Sequence, residues 1–176
     1  MKKNKNRGAR SASLCLLATL LTTQLHAAET TAFAGGDGED HDLTLAYRTA
    51  PLWQTQWMRR PVTLGLEYSL GLVHSSTEPY ARNLFHIGAT PVVRWWITPA
   101  TGVELGIGAN LFSGTHIAGK QISTAFQFGD TVGVVHRLQG RPWRLGLRFI
   151  HYSNADIKRP NPGQNYLQLH IGYALP

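Results

Sequence analysis

Residues 62–72 read Val-Thr-Leu-Gly-Leu-Glu-Tyr-Ser-Leu-Gly-Leu, and this stretch decides the fold. The apolar residues Val62, Leu64, Leu66, Tyr68, Leu70 and Leu72 occupy every second position, with Thr63, Gly65, Glu67, Ser69 and Gly71 between them. A helix would scatter these residues around its whole circumference. A strand puts them all on one face. The same alternation recurs outward along the chain, in 85–97 (Phe85, Ile87, Ala89, Pro91, Val93, Trp95, Ile97) and in 103–111 (Val103, Leu105, Ile107, Ala109, Leu111). Weaker versions predict strands at about 29–36, 42–50, 122–138, 141–153 and 164–175. Turn signals separate them: Gly35 to Gly38, Pro51, Pro99 to Gly102, Ser113-Gly114, Gln139-Gly140 and Asn161-Pro162-Gly163. The chain therefore reads as eight strands with no helix required.

Strands in soluble sandwiches run to about five or six residues, and several runs here are about twice that. Their second face is rich in glycine and small polar groups, with isolated Glu67, Arg94, Glu104, Arg144 and Arg148. A closed membrane barrel has this pattern, with apolar residues facing lipid and a polar interior. Trp53, Trp57, Trp95, Trp96, Trp143, Tyr166 and Tyr173 cluster near run ends, as interfacial girdles do. The fold class expected is all-β, an eight-stranded antiparallel transmembrane β-barrel; a secreted lipocalin-like barrel is the competing reading. An even strand count places both ends on the periplasmic side. The stretch from Asn154 to Gln164 then becomes a surface loop at the outer leaflet.

Residues 1–28 read as a signal peptide, leaving 29–176 as one barrel domain. Lys2, Lys3, Lys5, Arg7 and Arg10 precede an apolar stretch from Ala12 to Leu21, and Leu25-His26-Ala27-Ala28 offers small residues for cleavage. Cys15, the single cysteine of the chain, lies inside this leader, so no disulfide is expected in the mature protein. Five of the 17 Lys and Arg leave with the leader, so 12 face 10 acidic residues and the net charge falls from +7 to about +2. That surplus is too small to support nucleic-acid binding. A composition of 43% apolar and 15% charged residues also argues against a disordered chain. No apolar run is long enough for a membrane helix.

Chemistry concentrates at the outer end of the seventh strand. Its rows are Arg141, Trp143, Leu145, Leu147, Phe149, His151, Ser153 and Pro142, Arg144, Gly146, Arg148, Ile150, Tyr152. His151 and Ser153 thus continue the lipid-facing row, where a polar pair is costly without a partner or a use. Two residues apart on one face, they suit a general base and a nucleophile for acyl transfer. A solvated pair at headgroup level is the bland reading of that spacing.

The longer string His151-Tyr152-Ser153-Asn154-Ala155, with Lys158, Pro160-Asn161, Gly163 and a final amphipathic strand, resembles the lipid A 3-O-deacylase family of the PagL type. Weaker similarity extends upstream through Phe112-Ser113-Gly114-Thr115 and Phe128-Gly129-Asp130. The resemblance implies an outer-membrane esterase, located multi-pass in the bacterial outer membrane. Such an enzyme removes the 3-position hydroxyacyl chain from lipid A of lipopolysaccharide without metal or other cofactor. It implies His151 as base, Ser153 as nucleophile, Asn154 as critical for activity and Asn161 as an amide donor to an oxyanion hole. Where the family carries a glutamate to orient the histidine, this sequence has Asn165. An amide orients an imidazole but does not offset its positive charge.

Asp130 is a second candidate orienter. A two-residue turn at Gln139-Gly140 would place Phe128 opposite His151 and Asp130 opposite Phe149, making Asp130 a diagonal neighbour of the histidine. Asp156 has the wrong parity. His41, His74, His86, His116, His136 and His170 are scattered without ligand spacing, so no metal site is expected. Gly106-Ile107-Gly108 lies in a strand with no helix following, which excludes a nucleotide loop. The competing functions are a structural or adhesive barrel and an outer-membrane phospholipase. Monomer and homodimer both stay open as assemblies.

Overall fold

The computed structural model describes residues 27–76, 82–117 and 119–176, and the leader expected over 1–28 lies almost wholly outside them. Eight long strands form the wall: β1 (Glu29–Gly36), β2 (Asp40–Arg48), β3 (Arg60–Ser75), β4 (Arg82–Trp96), β5 (Thr101–Phe112), β6 (Phe126–Arg137), β7 (Trp143–Ser153) and β8 (Gln164–Ala174). Each pairs antiparallel with the next, and β8 returns to β1 through Glu29↔Ala174 to Gly36↔Leu167. The sheet closes on itself, so no long edge is left open to other chains. The described residues contain no helix.

Strand limits follow the alternation, with differences that have local causes. β3 extends three residues beyond the expected run to Ser75, because β2 pairs with it as far as Asp40↔Ser75. β6 starts at Phe126 rather than 122, because Ile122 turns inward and is buried. A short strand, Trp53–Trp57, pairs with Leu64–Arg60 and lengthens the β2–β3 hairpin below the barrel. In the β5–β6 loop, His116–Ile117 pairs with Lys120–Gln121.

The outward rows are mainly apolar and exposed, including Leu43, Leu45, Leu70, Ile87, Leu105, Ile107, Leu167 and Leu169. A soluble fold would bury these side chains; in lipid they are the solvated surface. The inside divides into two halves. Toward the ends that carry both chain termini, the ones expected to be periplasmic, Glu29, Glu67 and Glu104 are interlocked with Arg48, Arg94, Arg144 and Arg148, all buried. Arg94 reaches Glu104 at 2.6 Å and Glu29 at 3.0 Å, and Arg148 reaches Glu67 at 2.7 Å. The expected lumenal network of Glu67, Arg94, Glu104, Arg144 and Arg148 therefore forms, and Glu29 and Arg48 complete it. Toward the outer ends an apolar plug of Val73, Leu84, Phe112, Ile117, Ile122, Ile150, Tyr152 and Tyr166 packs beside buried Asp42, His86 and Gln168.

Two of the seven aromatic residues expected in the girdles belong to the interior. Trp96, with 3% exposure, faces the lumen and lies under Arg137, whose guanidinium carbon is 3.3 Å from its ring centroid. Tyr166 is buried in the plug. Both follow strand parity, since each neighbours an outward residue, Trp95 or Leu167. Trp53, Trp57 and Trp143 are exposed, and Trp57 packs against Trp95 at 4.4 Å.

Candidate active site

The outer ends of β6, β7 and β8 bring the sequence candidates together. On β7, His151 and Ser153 face outward and are half-buried, while Tyr152 between them points into the plug. There its ring packs edge-on against Phe112 at 5.1 Å and Tyr166 at 6.2 Å. This anchor fixes the end of the strand and so the direction of its two outward neighbours.

Asn165 lies directly across from His151 on β8, and its Oδ1 is 2.6 Å from His151 Nδ1. With Oδ1 accepting, Nδ1 carries the proton and Nε2 is the unprotonated nitrogen that a general base needs. Asp130 lies across from His151 on the other side, on β6. The diagonal placement expected from a two-residue turn is therefore corrected by a two-residue shift of register, which keeps the parity of every side chain. The connection from Leu138 to Pro142 is longer than that turn: Leu138 N–H donates to Trp143 O and Arg141 N–H to Leu138 O. Phe128 accordingly pairs with Ser153, and Asp130 with His151. Among the described residues the Asp130 side chain makes no hydrogen bond, to His151 or otherwise, and it is exposed.

No hydrogen bond joins Ser153 to His151 among the described residues. Catalytic contacts of this kind often close only when substrate is present.

The β7–β8 loop packs directly against the histidine. Gly163 has φ +66°, and a Cβ there would lie 2.6 Å from His151 Cε1. Glycine thus meets two requirements at once, a left-handed backbone and close approach to the ring. In the sequence, Gly163 shows only as part of the motif and of the turn signal Asn161-Pro162-Gly163, and that turn signal is the clue to this role.

Asn154 does not face the lipid. It is fully buried, and its Nδ2 donates to Lys158 O at 2.8 Å and Ile122 O at 3.0 Å. Its backbone N–H donates to Asn161 Oδ1 at 3.0 Å. The asparagine therefore ties the loop to itself and to the β5–β6 loop. Asn161 is half-buried and uses Oδ1 for that link, leaving its Nδ2 hydrogens free of partners among the described residues. Nearby, Asp37 in the β1–β2 turn accepts from the amides of Glu39 and Asp40 and from Gln164 Nε2. Burial works against its charge, yet these bonds and Lys120 hold its carboxyl below the usual range. This contact pins the start of β8, one residue before Asn165. Among the described residues no cluster of His, Cys, Asp and Glu is arranged to hold a metal ion.

Comparison with known proteins places this geometry in a family context. Residues 41–174 match the family model described as Lipid A 3-O-deacylase (PagL). The chain is 41% identical over 135 residues to a curated protein of Bordetella bronchiseptica named Lipid A deacylase PagL, covering 74% of each chain. It is 38% identical over 61 residues to the protein of that name from Pseudomonas aeruginosa, 35% of each. The fold also matches a crystal structure of the outer membrane enzyme PagL, with TM-score 0.72 at 20% identity, covering 84% of this chain and 99% of that one.

Proposed function

The chain belongs to the lipid A 3-O-deacylase (PagL) family, and from that premise we propose that it is an outer-membrane serine esterase hydrolysing the 3-position acyl ester of lipid A. One observation carries the mechanism: Ser153 and His151 stand on the lipid-facing row at the outer end of the barrel, with Asn165 bonded to the far side of the imidazole. An ester buried among acyl chains reaches such a serine sideways, without leaving the leaflet.

In the proposed reaction His151 Nε2 takes the Ser153 hydroxyl proton as Oγ attacks the ester carbonyl. The tetrahedral oxyanion accepts hydrogen bonds from Asn161 Nδ2. Collapse breaks the ester bond; the sugar 3-oxygen leaves with the proton from His151, and the acyl group stays on Ser153. Water then attacks that acyl-serine with His151 again as base, releasing the 3-hydroxy fatty acid and restoring the serine. Asn165 holds the imidazole in the required tautomer, and Asn154 positions the loop that carries Asn161 and Gly163. Asp130, across from His151 on β6, is its carboxylate neighbour and acts on the ring only through space. No cofactor takes part in these steps.

The test is mass spectrometry of lipid A from cells with a fully acylated outer membrane expressing the wild type or Ser153→Ala. Loss of one 3-hydroxyacyl chain with the wild type only is the expected result. Loss with both would remove Ser153 from the mechanism. Unchanged lipid A in the membrane and again with purified lipid A in detergent would leave a structural barrel as the reading.

A further inference from the structure

At the rim opposite the candidate site, the charge of the barrel does not balance. Arg48, Arg94, Arg137, Arg144 and Arg148 gather there around only Glu29, Glu67 and Glu104. Arg48 pairs with Glu67 and Glu104, Arg148 pairs with Glu67, and Arg94 and Arg144 share Glu29. Arg137 has no carboxylate partner among the described residues. It ends β6 on the inner face, half-buried, with its guanidinium over the Trp96 ring and its Nε buried without a hydrogen bond.

The register sharpens this imbalance. Arg137 stands directly across from Arg144 on β7. Like charges so placed, with Cβ atoms about 5 Å apart, repel each other unless an anion screens them. Arg144 uses Nη1 on Glu29 Oε2, the same oxygen that accepts from both terminal nitrogens of Arg94 at 3.0 Å. Glu29 is thus already shared by two guanidiniums before Arg137 is counted.

Arg137 and Arg144, with Arg141 from the β6–β7 turn, line a hollow of about 680 Å³. It curves over the rim, because Trp143 and Tyr173, an edge-on pair at 4.9 Å, line it as well. Pro176 borders it too, and no ion pair joins that residue to these arginines. The same two aromatics line a mainly apolar hollow of about 750 Å³ farther along the wall, together with Ala32, Ala46 and Ile171. Trp143 begins β7 and Ser153 ends it, so about 30 Å of strand separates this aromatic pair from the candidate nucleophile. Behind the arginines, a cavity of about 20 Å³ among Glu29, Arg94, Trp96 and Arg137 has room for a single water. A larger anion is therefore confined to the mouth.

We propose that this rim binds one anionic glycerophospholipid from the leaflet at that end, which the expected topology makes periplasmic. Its phosphate is held by Arg137, Arg141 and Arg144, and an acyl chain passes Trp143 and Tyr173 into the wall hollow. Guanidinium forks match phosphate oxygens, and the phosphate supplies the charge missing between Arg137 and Arg144. A headgroup with its own ammonium offsets that charge, so a net negative lipid is preferred to a zwitterionic one. The site needs only the barrel and stands whether or not Ser153 cuts an ester.

The experiment is native mass spectrometry of the protein in neutral detergent with added phosphatidylglycerol or phosphatidylcholine. Wild type is compared with Arg137→Gln, Arg141→Gln and Arg60→Gln, the last an exposed arginine outside the hollow. Heat-modifiable gel migration checks folding, and Arg141→Gln, in an exposed turn, carries the test if Arg137→Gln does not fold. One phosphatidylglycerol is expected to stay on the wild type, about tenfold or more tighter than phosphatidylcholine. Arg137→Gln and Arg141→Gln weaken it about tenfold or more, Arg60→Gln leaves it unchanged, and glycerol phosphate at the same concentration does not displace it. Equal retention by wild type and the folded Arg137→Gln and Arg141→Gln variants, or no preference for phosphatidylglycerol, overturns the proposal. Displacement by glycerol phosphate overturns the lipid assignment and leaves a site for a free phosphate.

Discussion

The imidazole of His151 has a neighbour on each side, and only one of them is bonded to it. Asn165 accepts from Nδ1 across β8, whereas Asp130 stands at the same level on β6 without a hydrogen bond. An amide in the orienting position fixes the tautomer but does little for the charge that develops on the ring during attack. Replacing Asn165 by alanine removes the only acceptor on Nδ1 among the described residues, so kcat is expected to fall about a hundredfold with KM little changed. Steady-state kinetics on lipid A in detergent checks this. The same assay on Asp130→Asn is expected to show a smaller loss, because its carboxylate acts only through space. If Asp130→Asn costs as much as Asn165→Ala, the carboxylate and not the amide orients the base. The double variant then measures their coupling.

The elements above these residues decide whether the pair can work, and the β7–β8 loop is the sensitive one. Alanine at Gly163 would combine an unfavourable left-handed backbone with a methyl group in the space of the imidazole. A loss of about a hundredfold in turnover is expected in a barrel that still folds and migrates normally. Asn154→Ala deletes the two loop-closing Nδ2 bonds to Ile122 and Lys158. It is expected to make the 154–163 segment cleavable by added protease, with activity falling in parallel. A variant that stays resistant yet inactive would instead put Asn154 in contact with substrate. Alternation made the strands legible in advance, and parity alone assigned Glu67, Glu104 and the arginines to the lumen and Asn165 to the face of His151. The connections were not legible in the same way. A Gln-Gly pair between strands allows turns of several lengths, and a two-residue shift of register decides whether Asp130 or Phe128 stands beside the base. Parity was also overruled by composition for Trp96 and Tyr166, whose aromatic character suggested a girdle although each lies on an inward row. The plug residues Ile117 and Ile122 come from a loop with no period to read.

At the scale of the whole barrel, stability and chemistry occupy opposite sides of one wall. The charged network fills the periplasmic half of the interior, the apolar plug fills the outer half, and the candidate site stands outside on the lipid face. Glu104 is the hub of the network, bonded to Arg48 and Arg94 and within 3.7 Å of Arg148. Removing its charge leaves guanidinium groups buried without their counterion, and breaking such a buried cluster costs about 3–5 kcal/mol. Glu104→Gln keeps the shape of the side chain, so the expected loss is electrostatic and not a matter of packing. Urea unfolding of the detergent-solubilised barrel, followed by tryptophan fluorescence, should show a lower midpoint with an unchanged slope. Below that midpoint the folded variant should deacylate lipid A at the wild-type rate, because the network reaches neither His151 nor Ser153. A drop in turnover without a drop in stability would mean that the interior charges are felt through the wall. The site would then depend on the lumen as well as on the row of side chains that faces lipid.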